Sequence, residues 1–89
     1  MQKRQQEAVI LGAVIKMLRL QREMTQEQLA QAGDIERTYV ALVEKGRRAP
    51  SFHGLIAFAA GLQLRLSDLV LAYEDALASA DHKSENVKN

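Results

Sequence analysis

Residues 26–46, QEQLAQAGDIERTYVALVEKG, constrain the fold more than any other stretch. The run reads as two short helices around a tight turn. The first helix is expected over residues 26–32. Thr25 stands just before it as an N-cap, and Gln28 follows three residues later, which predicts a capping box. Gly33, Asp34 and Ile35 form the turn. The second helix is expected over residues 36–45, with Gly46 as the residue that ends it. Leu29 and Ala30 face inward from the first helix, and Ala30 is small where another helix has to cross closely. Ile35 plugs the turn, and Val40 and Val43 make an inward stripe at helical spacing. Two such helices, joined by a turn of about 3–4 residues and crossing at roughly 90–120°, are a helix-turn-helix.

With QEQLA followed by GDIERTYVALVEKGRRAPS, the run resembles the Xre/Cro phage-repressor family of DNA-binding domains. The likeness extends to either side and takes in about residues 10–72. The IERTYVALVEKGRR stretch is also similar to controller proteins of restriction-modification systems. The resemblance implies an all-α fold, a compact five-helix bundle of the lambda-repressor-like type. It implies a sequence-specific regulator of transcription on double-stranded DNA, with the helix over residues 36–45 in the major groove of an operator half-site. It further implies that Arg19 and Glu44 form a largely buried structural ion pair between the first helix and the recognition helix. An arginine fork suits a carboxylate in such a pair.

Helical geometry names the candidate DNA surface. With Val40 and Val43 inward, the opposite side of the recognition helix carries Thr38, Ala41, Leu42 and Lys45. Arg37 lies at the N-terminal end, which points toward the groove floor in this docking mode. Base contacts are therefore expected from Arg37, Thr38, Ala41 and Leu42. Arginine matches guanine O6 and N7, threonine can donate, accept or lay its methyl on thymine, and alanine and leucine offer apolar contact. Phosphate contacts are expected from Gln26 at a helix N-terminus, from the Tyr39 hydroxyl on the flank, and from Lys45, Arg47 and Arg48. Two residues depart from the family pattern. Asp34 stands at the usual turn glycine and must adopt positive φ if the turn keeps its shape. Glu36 replaces the usual Ser or Thr cap, which suits the helix dipole but caps poorly.

The 89-residue chain is long enough for one modest core. A single proline and many leucines, alanines and glutamines favour helices. The absence of cysteine excludes disulfides, a thiol nucleophile and thiolate metal sites. The AVILGAVI run near the start is too short to span a bilayer and continues into charged residues, so neither a signal peptide nor a membrane span is expected and the reading is cytoplasmic. Net charge is only +1, but residues 1–50 carry +3 and residues 51–89 carry −2. The positive half holds the motif, as a DNA-facing surface requires.

The remaining chain divides into a flexible N-terminus over 1–6, the DNA-binding domain over 7–79 and a disordered tail over 80–89. A first helix is expected over 7–23, with Leu11, Ile15 and Leu18 inward beside Val14. Ser51 caps a helix over 52–61, in which Phe52, Leu55, Ile56 and Ala59 supply core. Ser67 caps a fifth helix over 68–78. One module of this kind buries only about 600–1,000 Å² on DNA, so two copies are expected on half-sites about 34 Å apart. The homodimer interface is expected from Leu64, Leu66, Leu69, Val70 and Tyr73. His53 and His82 have no ligand spacing around them, and no catalytic triad or phosphate loop occurs, so neither an enzyme nor a metal, cofactor or small-molecule ligand is expected. The alternative reading is an antitoxin-type module that binds a toxin partner and autoregulates its operon.

Overall fold

The structure is a computed structural model that describes the backbone of residues 3–88 and the side chains of residues 3–81. Five helices follow in order: α1 (Lys3–Gln21), α2 (Gln26–Gly33), α3 (Arg37–Glu44), α4 (Phe52–Gly61) and α5 (Leu66–Lys88). α2 packs on α3 and α4, while α1 packs on α3 and α5, and α4 also meets α5. Ile15, Leu29, Val40, Val43, Phe58, Leu62 and Leu69 are the largest fully buried side chains, and every one comes from the packed faces of these helices or from the connector after α4. Burying each is worth about 1.5–3 kcal/mol relative to leaving it in water.

One backbone device closes the first four helices. In each, an amide reaches back five residues while the amide before it reaches back three, the paired pattern of a Schellman motif. The pairs are Met24 to Arg19 with Glu23 to Leu20, Ile35 to Ala30 with Asp34 to Gln31, Arg47 to Leu42 with Gly46 to Val43, and Leu64 to Ala59 with Gln63 to Ala60. The left-handed residues are Glu23, Asp34, Gly46 and Gln63, at φ of 56°, 57°, 74° and 58°. Asp34 therefore takes the positive φ that the sequence demanded of it. Met24, Ile35 and Leu64 follow three of these corners and pack against the core as plugs. Arg47 follows the fourth and is exposed.

Close approach of α1 and α3 depends on Gly12. A Cβ there would collide with the Val43 carbonyl oxygen and come within 3.0 Å of the Glu44 carbonyl oxygen.

Several expectations need correction. Leu69 is fully buried within this single chain and belongs to its core, so it offers a partner no free surface beyond the wall of a groove. Leu64 and Leu66 are half-buried against the same core, and Tyr73 is half-buried as well. Of the five expected interface residues, Val70 presents the most surface. Conversely, Phe52 and Ile56 were expected inside but are 69% and 43% exposed. α4 is apolar nearly all round, so its sequence does not mark which side faces in. Ser67 is not the cap of α5. The helix starts at Leu66, two residues earlier than expected, and the Asp68 carboxylate accepts from the Arg65 backbone N–H at 3.1 Å. α1 begins at Lys3, and the backbone of α5 is helical to Lys88, because the polar residues at both ends are fair helix formers without proline or glycine. Residues 1, 2 and 89, and the His82 side chain, lie outside what is described.

Candidate nucleic-acid interface

The helix-turn-helix begins with the predicted capping box. Thr25 Oγ1 accepts from the Gln28 backbone N–H at 3.0 Å, and Gln28 Oε1 accepts from the Thr25 N–H at 2.8 Å. α2 is thereby fixed at the end that presents Gln26. At the start of α3, Glu36 occupies the N-cap position with extended backbone but makes no side-chain cap. The expected deficiency of glutamate as a cap is present in the geometry.

Between the start of α2 and the end of α3 lies an ionic lock. Arg19 donates from Nε to Glu44 Oε2 at 2.6 Å and from Nη2 to Glu44 Oε1 at 2.9 Å. Its remaining Nη1 donates to the Met24 carbonyl at 2.8 Å. The side chains of Arg19 and Glu44 are only 8% and 3% exposed. The hydrogen bonds that Arg19 donates to Glu44 hold the guanidinium pKa above its ordinary value, against the opposing effect of burial, and the carboxylate charge adds to the rise. Gln26 Nε2 donates to Glu44 Oε1 at 3.1 Å, so one carboxylate ties α1, α2 and α3 together. Gln26 is thus held by its amide nitrogen, which leaves its amide oxygen without a partner in this lock.

The face of α3 away from the core carries the expected readers. Arg37 and Thr38 are exposed, and Ala41 and Leu42 are half-buried without joining the core cluster. Arg37 Nε lies 3.9 Å from Glu27 Oε2, an ion pair whose partners are both more than half exposed. Such a pair is worth little and leaves Arg37 able to turn outward. Lys45, Arg47 and Arg48 are exposed on the corner behind α3.

Tyr39 differs from the simple flank residue read from the sequence. Its ring is half-buried and stacks on Phe58, with centroids 5.7 Å apart and planes 23° from parallel. The Arg48 guanidinium carbon lies 5.2 Å from the same ring centroid, within range of a cation–π attraction. The Tyr39 hydroxyl lies over Gly54, where a Cβ would collide with it. Phe58, Gly54 and Glu27 were not legible as parts of the site. Their roles depend on how α2 and α4 cross α3, which local spacing does not encode. All nine expected contact residues lie on α2, on α3 or on the corner that follows it.

The sequence profile of the helix-turn-helix family (HTH_3) matches residues 15–69. The chain belongs to this family. It is 35% identical over 78 residues to the immunity repressor protein of Bacillus phage phi105; the match covers 88% of this chain but 53% of that protein, about half its length. The restriction-modification controller protein C.AhdI from Aeromonas hydrophila superposes with a TM-score of 0.67 at 31% identity, over 70% of this chain and 94% of its own. The controller protein C.Esp1396I superposes with a TM-score of 0.77 at 26% identity, over 82% of this chain and 95% of its own. C.Esp1396I has also been solved as a tetramer with its natural 35 base-pair operator. Further structures of it carry single substitutions at a consecutive arginine, threonine and tyrosine.

Among the described residues no group of three acidic or histidine side chains is arranged to hold a metal ion, and no single helix is long and apolar enough to cross a membrane.

Proposed function

We propose that this helix-turn-helix protein is a sequence-specific regulator of transcription that lays α3 in the major groove of an operator half-site. The observation that carries this reading is the exposed Arg37–Thr38 start of a helix whose far end is locked by Arg19, Glu44 and Gln26. A reading head must be rigid, because loosely held side chains lose the entropy of ordering on every encounter. The Arg-Thr-Tyr order of residues 37–39 occurs once in this chain, and a consecutive arginine, threonine and tyrosine are the residues substituted one by one in the solved C.Esp1396I variants. Arg37 and Thr38 contact base edges, with Ala41 and Leu42 offering apolar contact. Gln26, Lys45, Arg47 and Arg48 contact phosphates, and so does the Tyr39 hydroxyl. Tyr39 does so from a fixed position, since its ring is clasped between Phe58 and Arg48. The working unit is a homodimer, since one module covers too little DNA to be specific.

Arg37→Ala and Arg48→Ala separate the two kinds of contact. On a duplex selected from the chain's own upstream region, Arg37→Ala relaxes preference at one base pair per half-site, a loss of about 1–3 kcal/mol in discrimination. Arg48→Ala weakens specific and random duplexes alike and flattens the salt dependence. Titration of both variants against both duplexes is the check. Equal behaviour of the two variants overturns the division of labour.

A further inference from the structure

A groove of about 430 Å³ opens between the start of α1 and the helices α4 and α5. Leu11, Leu55, Leu69, Val70 and Tyr73 form its apolar part, and Arg4 and Glu7 stand at its edge. It lies outside the DNA-reading face: none of the nine candidate contact residues lines it. Beside it, on the α4 turn that contributes Leu55, stands Phe52. At 69% exposure this is the barest large apolar side chain among the described residues. A chain that hides Phe58 completely and leaves Phe52 in water has an unmatched aromatic next to an unfilled apolar socket.

We infer that the groove is the socket for Phe52 of a second copy of this chain. This rests on the dimeric reading above and assigns the contact that makes it. A two-fold contact must be self-complementary, so that each subunit offers both knob and hole on one face. Phe52 and the groove meet that condition, because residues 49 and 55 on either side of Phe52 line the groove itself. Ile56 and Val70, 43% and 38% exposed, extend the same apolar face. The two charges on the rim are of opposite sign, so the face carries no net charge that would repel its own copy. A ring entering this socket meets an apolar wall, and an aromatic anchor in a desolvated pocket is the usual centre of binding energy in an interface.

Because Phe52 is exposed, replacing it leaves the fold of the single chain intact, and the test reads association alone. In sedimentation equilibrium the unaltered chain runs at twice its 9.9 kDa mass, and Phe52→Ala raises the dissociation constant about tenfold or more. The chain has no cysteine, so single thiols report proximity without background. Mixed under a mild oxidant, Phe52→Cys chains and Val70→Cys chains form a disulfide-linked dimer, while Phe52→Cys chains alone stay unlinked. If the unaltered chain is dimeric but Phe52→Ala associates equally well, or Phe52→Cys chains link to each other, the socket is wrong and the dimer stands. If the unaltered chain stays at 9.9 kDa through the micromolar range, the dimeric reading fails and the socket with it.

Discussion

Glu44 carries more of this fold than any other polar residue, because three donors from two other helices converge on its carboxylate. Glu44→Ala leaves the Arg19 guanidinium buried without its counter-charge, a loss of about 3–5 kcal/mol. Urea denaturation measures it, and a smaller loss for the paired change Arg19→Met with Glu44→Leu would show that the cost comes from the stranded charge. Tyr73 supplies a pH signature. Burial comes first in holding its hydroxyl pKa above the usual tyrosine value, followed by the carboxylates of Glu7 on α1 and of Asp81 and Glu74 on α5. The folded state then keeps this proton longer than the unfolded chain does. Its contribution is complete below the ordinary tyrosine pKa and is lost as pH rises through the higher folded value. Thermal melts are therefore expected to show an alkaline fall in stability that Tyr73→Phe reduces, with no difference between the two proteins near neutrality.

Helix by helix, the sequence was most informative where a single side chain does a local job. Thr25 and Ser51 are read as caps from their positions alone, and both accept the expected backbone N–H, Ser51 from Gly54 at 3.1 Å. The Arg19–Glu44 pair was accessible only through family resemblance, since its partners are 25 residues apart. Local pattern failed where two neighbouring apolar residues compete for one inward direction. Phe52 and Leu69 exchanged their expected roles for that reason, since helical spacing fixes a stripe and tertiary packing chooses its angle. Gly12 is another such case. Alanine favours a helix interior over glycine by about 1 kcal/mol, yet Gly12→Ala is expected to destabilise by about 1–3 kcal/mol through overpacking against the α3 carbonyls. Glu36→Ser runs the other way. It gives α3 the cap it lacks, worth about 0.5–2 kcal/mol, and removes an anion beside the expected phosphates, so both melting temperature and DNA affinity rise. A gain in stability with no gain in affinity would place Glu36 away from the DNA.

For the molecule as a whole, the corner proposed to face DNA and the groove beside Phe52 involve different residues, so association and reading can be separated by mutation. Each phosphate contact contributes close to one unit to the slope of log affinity against log salt. Arg47→Ala therefore flattens the slope by about two units if two copies bind together, and by about one if a single copy binds; filter binding across a salt series distinguishes them. The four Schellman corners add a consequence of their own. Three are corked by Met24, Ile35 and Leu64, while the one behind α3 ends in a cation turned to solvent. Gly46 itself rests against Val9, but the residue after it adds no apolar plug, so this bend is held less firmly than the other three, and it is the place where a duplex would press. In hydrogen–deuterium exchange the amides of Gly46 and Arg47 should open well before those of Ile35 and Leu64, and a bound operator should slow them most.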